Sequence, residues 1–127
     1  MLDGKMTILV ADDDPAVRDA LGFSLGLEGF DVRECRDGKE LLSHPALMEC
    51  DCILLDYKMP ELSGLDVLGQ LHARGVRAPV IFITGPLTEE LRRRAIKAGA
   101  RKVLEKPLLD GVLTEQIREL SAGSVRP

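Results

Sequence analysis

The chain has 127 residues, 45% hydrophobic and 30% charged, which fits one globular domain able to bury a core without disulfide or metal staples and excludes a disordered chain. Its net charge of -4 argues against a surface that tracks nucleic-acid phosphates. Apolar runs stay far short of the ~20 residues of a membrane span, and the amino terminus lacks a basic-then-apolar signal, so the chain reads as cytoplasmic.

In chain order, the first apolar run is Thr7-Ile8-Leu9-Val10-Ala11, too short for a helix and rich in strand formers. Asp12-Asp13-Asp14-Pro15 follows at once. Pro15 suits a first helical turn and Asp14 the N-cap before it. Val17, Ala20, Leu21 and Leu25 then recur at helical spacing, and Gly29 can end that helix in the left-handed region. Residues 30–35 predict a second, more polar strand near a sheet edge. Asp37-Gly38 punctuates, and residues 39–47 read as a weaker helix whose end Pro45 leaves open.

Cys52-Ile53-Leu54-Leu55-Asp56 is a third strand, an apolar run that stops abruptly in a carboxylate. Met59-Pro60 and Ser63-Gly64 mark the loop before a short helix carrying Leu65, Leu68 and Leu71, which closes at Gly75. The fourth strand is Val80-Ile81-Phe82-Ile83, ending at Thr84-Gly85. Residues 89–98 predict a helix with Leu91, Ala95 and Ala98 on one side and Gly99 at its end. Val103-Leu104 makes a brief fifth strand before Glu105-Lys106-Pro107. Leu109, Val112, Leu113, Ile117 and Leu120 take core spacing on a last helix, and residues 121–127 read as a polar tail.

Five strands, all but the polar second one built on aliphatic runs, alternate with five helices and indicate an α/β fold, with a parallel sheet covered on both faces and doubly wound by right-handed crossovers. Polar residues stand at the ends of four runs: Asp12 and Asp13, Asp56, Thr84 and Lys106. In a parallel sheet these are all carboxyl ends, so they share the edge where open α/β sheets hold ligands. Crowded carboxylates repel, by about 4 kcal/mol per pair at ~4 Å and an effective dielectric of ~20, and so raise a pKa or bind a cation. Oxygen-only ligands suit Mg²⁺. With that metal, Asp56 can act as a nucleophile toward a phosphoryl group, Lys106 can share the developing oxygen charge, and Thr84 can donate a hydroxyl hydrogen bond.

Other features read more plainly. Cys35, Cys50 and Cys52 are an odd set without a disulfide framework, and the Cys50/Cys52 pair lacks a second half-site for zinc. Arg92-Arg93-Arg94 reads as a solvated helical face, with a partner surface as the alternative.

As a set, Val10-Ala11-Asp12-Asp13-Asp14, Asp56-Tyr57-Lys58-Met59-Pro60 with Gly64, Thr84-Gly85 and Glu105-Lys106-Pro107 resemble the receiver domain of two-component response regulators, across residues 5 to 120. The wording is closest to receivers of helix-turn-helix transcription factors. The resemblance implies a flavodoxin-like five-stranded sheet of order 2-1-3-4-5 and a single receiver domain over 1–127, with 121–127 a tail or the start of a linker. It implies that Asp56 accepts phosphate from the histidine of a sensor kinase or phosphotransfer protein. Asp13, Asp56, the Lys58 backbone carbonyl and Asp12 would hold Mg²⁺, Asp12 directly or through water. Further implications are a cis Lys106–Pro107 bond, self-catalysed transfer with slow loss of the phosphate rather than enzymatic turnover, and an output domain or downstream partner. A phosphorylation-dependent homodimer belongs to the same set, with the change carried by the face of the fourth helix, fifth strand and last helix, including Arg92 and Arg93.

One position departs from that pattern: Val103 stands where many receivers have Tyr or Phe, three residues before the lysine, so the ring half of the usual switch is missing. Lys58 and Pro86 occupy positions that tune phosphate lifetime in the family. Two rival readings stand beside the receiver. One is a Mg²⁺-dependent phosphatase forming an aspartyl-phosphate on the D-x-D pattern of Asp12-Asp13-Asp14. The other is a binding module that never accepts phosphate.

Overall fold

A computed structural model describes residues 4–108 and 111–124, the last four by backbone alone. Five strands form one parallel sheet in the order β2-β1-β3-β4-β5: β1 Thr7–Ala11, β2 Asp31–Cys35, β3 Cys52–Asp56, β4 Val80–Thr84 and β5 Lys102–Glu105. The helices between and after them are α1 Pro15–Leu27, α2 Gly38–Leu42, α3 Gly64–Ala73, α4 Glu89–Ala98 and α5 Val112–Ser124.

Alternation along each strand divides the core in two. Leu9, Ile53, Leu55, Phe82 and Val103 face one way, against Leu41 of α2, Val67 and Leu71 of α3 and Ala95 of α4. Ile8, Val10, Leu54, Ile81 and Ile83 face the other way, against Leu25 of α1 and Leu113, Ile117 and Leu120 of α5. Both faces are therefore apolar, which is why β1, β3 and β4 read as unbroken aliphatic runs. β2, on one edge, is the polar strand, with Arg33 and Glu34 exposed.

Local chemistry sets the helix ends. The Asp14 side chain accepts from the Ala16 and Val17 amides, and Pro15 follows where its missing N–H is harmless. Ser63 and Asp66 form a capping box at the start of α3. Gly29, Gly75 and Gly99 each follow a helix at positive φ, as expected for its terminator.

Several boundaries differ from the sequence reading, the fifth strand running Lys102–Glu105 and not only Val103-Leu104 among them. The second strand begins at Asp31, not Phe30, whose amide is bound to the Leu25 carbonyl of the α1 C-terminus. The second helix stops at Leu42 rather than reaching Leu47. There the Ser43 hydroxyl folds back on the Lys39 carbonyl at 3.0 Å, and Pro45 offers no N–H to carry the helix on. Leu47 is buried all the same, from the turn that replaces the helix. The last helix continues past Leu120 through Ser124, into what reads as a tail. Leu109, expected on its core side, lies outside the described residues.

Candidate functional site

Each strand end delivers its residue to one edge. β1 ends at Ala11, so Asp12 and Asp13 leave the sheet beside β3. β3 ends in Asp56 itself. The register pairs Asp56 with Ile83, which sets Thr84 one position further along the neighbouring strand. Thr84 in turn pairs with Glu105, which carries Lys106 just past the end of β5. Asp12, Asp56 and Thr84 are the buried polar residues of the described chain, in an interior otherwise apolar.

The contacts make one cluster of them. Lys106 Nζ lies 2.9 Å from Asp56 Oδ1 and 3.5 Å from Asp12 Oδ2. Carboxylate oxygens of Asp12, Asp13 and Asp56 all fall within 4.8 Å of one another. Burial pushes the Asp56 carboxyl up from the ordinary carboxylate range; the Lys106 ammonium opposes that shift, and the charges of Asp12 and Asp13 reinforce it. Burial works against the Lys106 charge too, but the Asp56 and Asp12 carboxylates outweigh it and hold the ammonium above its usual range. Three carboxylates facing a single ammonium leave an uncompensated negative charge.

That charge and the donor set fit a hard divalent cation. Mg²⁺ takes such oxygen ligands, and three carboxylates with oxygens within 4.8 Å of one another could converge on one ion. Asp13 is exposed and leaves the site open to solvent on one side. Lys58 sits two residues past Asp56, its side chain also exposed; its carbonyl as a ligand rests on the family resemblance. Beside the cluster a cavity of about 650 Å³ opens between α1 and α5, with Asp12, Asp56 and Lys106 at one end and Val17, Leu21 and Leu113 along its walls.

The supporting turns are close-fitted. A Cβ on Gly64 would stand 2.5 Å from the Asp56 carbonyl and 2.8 Å from the Phe82 ring, so only glycine lets α3 begin this close to the strand end. The Gly64 amide donates to the Tyr57 carbonyl at 2.7 Å, closing the loop that carries Lys58. Across the site, the Lys106 amide donates to the Thr84 carbonyl at 2.7 Å, and the Lys106–Pro107 bond is cis, as the resemblance implies. Val103 is buried opposite Phe82, whose ring packs at 5.7 Å from that of Tyr57.

The remaining sequence expectations divide. Asp14 is a helix cap, as read. Cys50 and Cys52 are buried thiols, pushed by burial to pKa values of about 11 and about 12, and they belong to no metal-ligand group among the described residues. Arg92, Arg93 and Arg94 are all exposed on α4. No helix among the described residues is long and apolar enough to cross a membrane. Arg18 and Glu34 belong to no motif in the sequence. Arg18 donates to the Asp12 carbonyl at 2.7 Å, and its signal in the sequence is only a basic residue one turn into the helix behind an acidic strand end.

Comparison with known proteins agrees with this geometry. The profile of the response regulator receiver domain matches residues 8–118. The C4-dicarboxylate transport transcriptional regulatory protein DctR of Rhodobacter capsulatus is 37% identical over 113 residues, covering 87% of this chain and 57% of that protein. The transcriptional regulatory protein FixJ of Azorhizobium caulinodans is 36% identical over 114 residues, covering 90% of this chain and 54% of its own length. The chain thus spans about half the length of the curated relatives it matches. Among solved structures, the receiver domain of the Francisella response regulator 1452 superposes with a TM-score of 0.89 at 28% identity, over 94% of this chain and 99% of that one. The crystal structure of FixJ-N gives 0.86 at 31% identity, over 97% and 98%.

Proposed function

The chain belongs to the response regulator receiver family, and we propose that within it Asp56 is the phosphoacceptor of a phosphorylation-driven signalling switch. One observation carries the assignment: Asp56 is a buried carboxylate at a central strand end, 2.9 Å from the Lys106 ammonium and flanked by the carboxylates of Asp12 and Asp13.

An Asp56 oxygen attacks the phosphorus of a phosphohistidine on a sensor kinase or phosphotransfer protein. The new P–O bond forms as the P–N bond breaks, and the imidazole leaves with the electron pair. Lys106 keeps Asp56 ionised before the transfer and follows a phosphoryl oxygen afterwards. Thr84 donates its hydroxyl to another. Mg²⁺ held by Asp12, Asp13, Asp56 and the Lys58 carbonyl would offset the charge of the incoming oxygens.

Transfer replaces one carboxylate charge by about two negative charges. Lys106 and Thr84 reorganise around the new oxygens, and the loop after Thr84 follows, because Thr84 and Lys106 are tied through backbone at 2.7 Å. With Val103 in place of a ring, that loop is the route of readout to α4, β5 and α5, where the exposed Arg92 and Arg93 meet an output domain, a downstream protein or a second copy. We read 1–127 as one receiver unit acting in the cytoplasm, with a core over about 5–120. By likeness to its relatives, it serves a longer regulator of transcription.

Incubation with Mg²⁺ and acetyl phosphate, followed by intact mass, tests the assignment. Wild type should gain the mass of a phosphoryl group, and Asp56→Asn should not. Labelling that survives Asp56→Asn but is lost in Asp12→Asn would replace the switch by a phosphatase-type nucleophile.

A further inference from the structure

Behind the acidic edge a second, non-ligating contact chain runs from the outer strand β2 through α1 to β1. Arg18 Nη1 donates to the Asp12 carbonyl at 2.7 Å, and Arg18 Nε faces Glu34 Oε1 at 3.4 Å. Only 13% of the Arg18 side chain is exposed, unusual for an arginine on a surface helix and a sign that its position is fixed. Asp19 lies against the same Glu34 carboxylate. Glu34 has its seat because α1 carries glycine beside it: a Cβ on Gly22 would stand 2.6 Å from Glu34 Oε2.

We propose that Arg18 is a positioning residue for the acidic edge, held by Glu34 in the notch left by Gly22, and that it acts by pinning the Asp12 carbonyl so that the Asp12 and Asp13 carboxylates converge on a cation. The physical argument is leverage. The turn after β1 must present two adjacent carboxylates inward against their mutual repulsion. The Asp12 amide is tied to the Cys35 carbonyl at 3.3 Å, and Asp12 Oδ1 accepts from the Asp14 amide at 2.9 Å. The Asp12 carbonyl is the remaining free handle, and the planar guanidinium takes it while its other edge is braced on β2. Groups that orient metal ligands from behind commonly change affinity by ten-fold or more when removed.

The inference rests on the reading of Asp12, Asp13 and Asp56 as a Mg²⁺ site, and its test uses cation binding by the unphosphorylated protein. Isothermal titration with Mg²⁺ should show Arg18→Gln binding about ten-fold more weakly than wild type. Arg18→Lys, which can reach the carbonyl but cannot also brace on Glu34, should fall between them. Gly22→Ala is the decisive variant. It displaces only the flexible end of Glu34 and improves helix propensity, so its thermal midpoint in EDTA should equal or exceed that of wild type while its Mg²⁺ affinity drops. Weakened binding without lost stability is a pattern that a merely structural role would not produce. In the double variant Arg18→Gln, Gly22→Ala the loss should be no larger than in Arg18→Gln alone. Affinity within two-fold of wild type in both Arg18→Gln and Gly22→Ala overturns the proposal. If Arg18→Gln does not fold, Arg18→Lys and Gly22→Ala decide by the same criterion. Wild type that binds no Mg²⁺ overturns the metal-site reading itself.

Discussion

The two loops that flank the cluster are held in opposite ways. The turn after β1 is fastened on every side: the Asp12 amide on β2, the Asp12 carbonyl on Arg18, the Asp12 carboxylate on the Asp14 amide and on Lys106, and the Asp14 carboxylate on the first amides of α1. The loop after β4, residues 85–88, is tied across to β5 by a side chain at one point, where the Leu87 amide donates to Glu105 Oε2 at 3.2 Å; Thr88 then caps α4. A cation site needs carboxylates that stay in place before and after phosphorylation. A response needs a segment whose displacement costs little, and this loop gives up one exposed hydrogen bond, about 1 kcal/mol or less, and the partial packing of Leu87 on the core. The molecule thus keeps its rigid half on the β1 side and its yielding half on the β4 side, with Asp56 between them.

Substitutions on each side should sharpen that division. The largest effect is expected at Asp13. Asp13→Asn should weaken Mg²⁺ by at least ten-fold, about 1.4 kcal/mol, while leaving the metal-free thermal midpoint almost unchanged, because Asp13 is exposed. Pro86→Ala, on the other side, should leave Mg²⁺ affinity within two-fold. Equal losses from both would abolish the distinction. Next comes Asp56, with its folded-state pKa raised above the ordinary 3.8, chiefly by burial. A raised carboxyl favours the folded state while protonated. Its contribution is present in full below pH 3.8 and is lost as pH rises through the raised folded value. Metal-free wild type at neutral pH therefore carries a buried charge that Asp56→Asn lacks, and the variant should be the more stable by about 1 kcal/mol in EDTA. The gap should close at low pH and shrink when Mg²⁺ is added to wild type. Urea titrations across pH would read it, and a less stable variant at neutral pH would show that the Lys106 pair outweighs burial. Asp14→Ala, which removes the cap of α1 but no ligand, should cost about 1 kcal/mol as well, with a much smaller change in Mg²⁺ affinity than Asp13→Asn.

Much of this arrangement is legible in the sequence, for an identifiable reason. Aliphatic runs that stop in Asp12, Asp56, Thr84 or Lys106 report both a strand and its carboxyl end, and a parallel sheet turns four such ends into one site. Caps are equally local: Asp14 before Pro15 and glycine after α1, α3 and α4 act within a few residues of themselves. What sequence did not disclose depends on contacts across the fold. After α2 ends at Leu42, Leu47 reaches the core from a turn and not from a helix, which apolar spacing through Leu47 conceals. Arg18 and Glu34 look like ordinary surface charges until β2 pairs with β1 and brings them together. Gly22 inside a helix looks like a flaw until the carboxylate beside it is seen.

The smallest expected effect examines the yielding side directly. Glu105→Ala removes the strap on Leu87, and since Glu105 is exposed and the Leu87 side chain keeps its packing, global stability should change by less than about 0.5 kcal/mol. Local opening is another matter. Amide exchange at Leu87 should accelerate about five-fold, corresponding to about 1 kcal/mol of lost protection, with the amides of Asp14 and Ala16 unaffected. Phosphorylation of wild type should act on the same amide, because movement of Thr84 toward the new oxygens draws Leu87 away from Glu105. In Glu105→Ala that phosphorylation-dependent change should be reduced, since the contact it breaks is already gone. Exchange at Leu87 that is indifferent to both the substitution and the phosphate would place the readout elsewhere than in the 85–88 loop. Acceleration that spread to Asp14 would mean that the two sides of the site are one mechanical unit, and that the contrast between them is false.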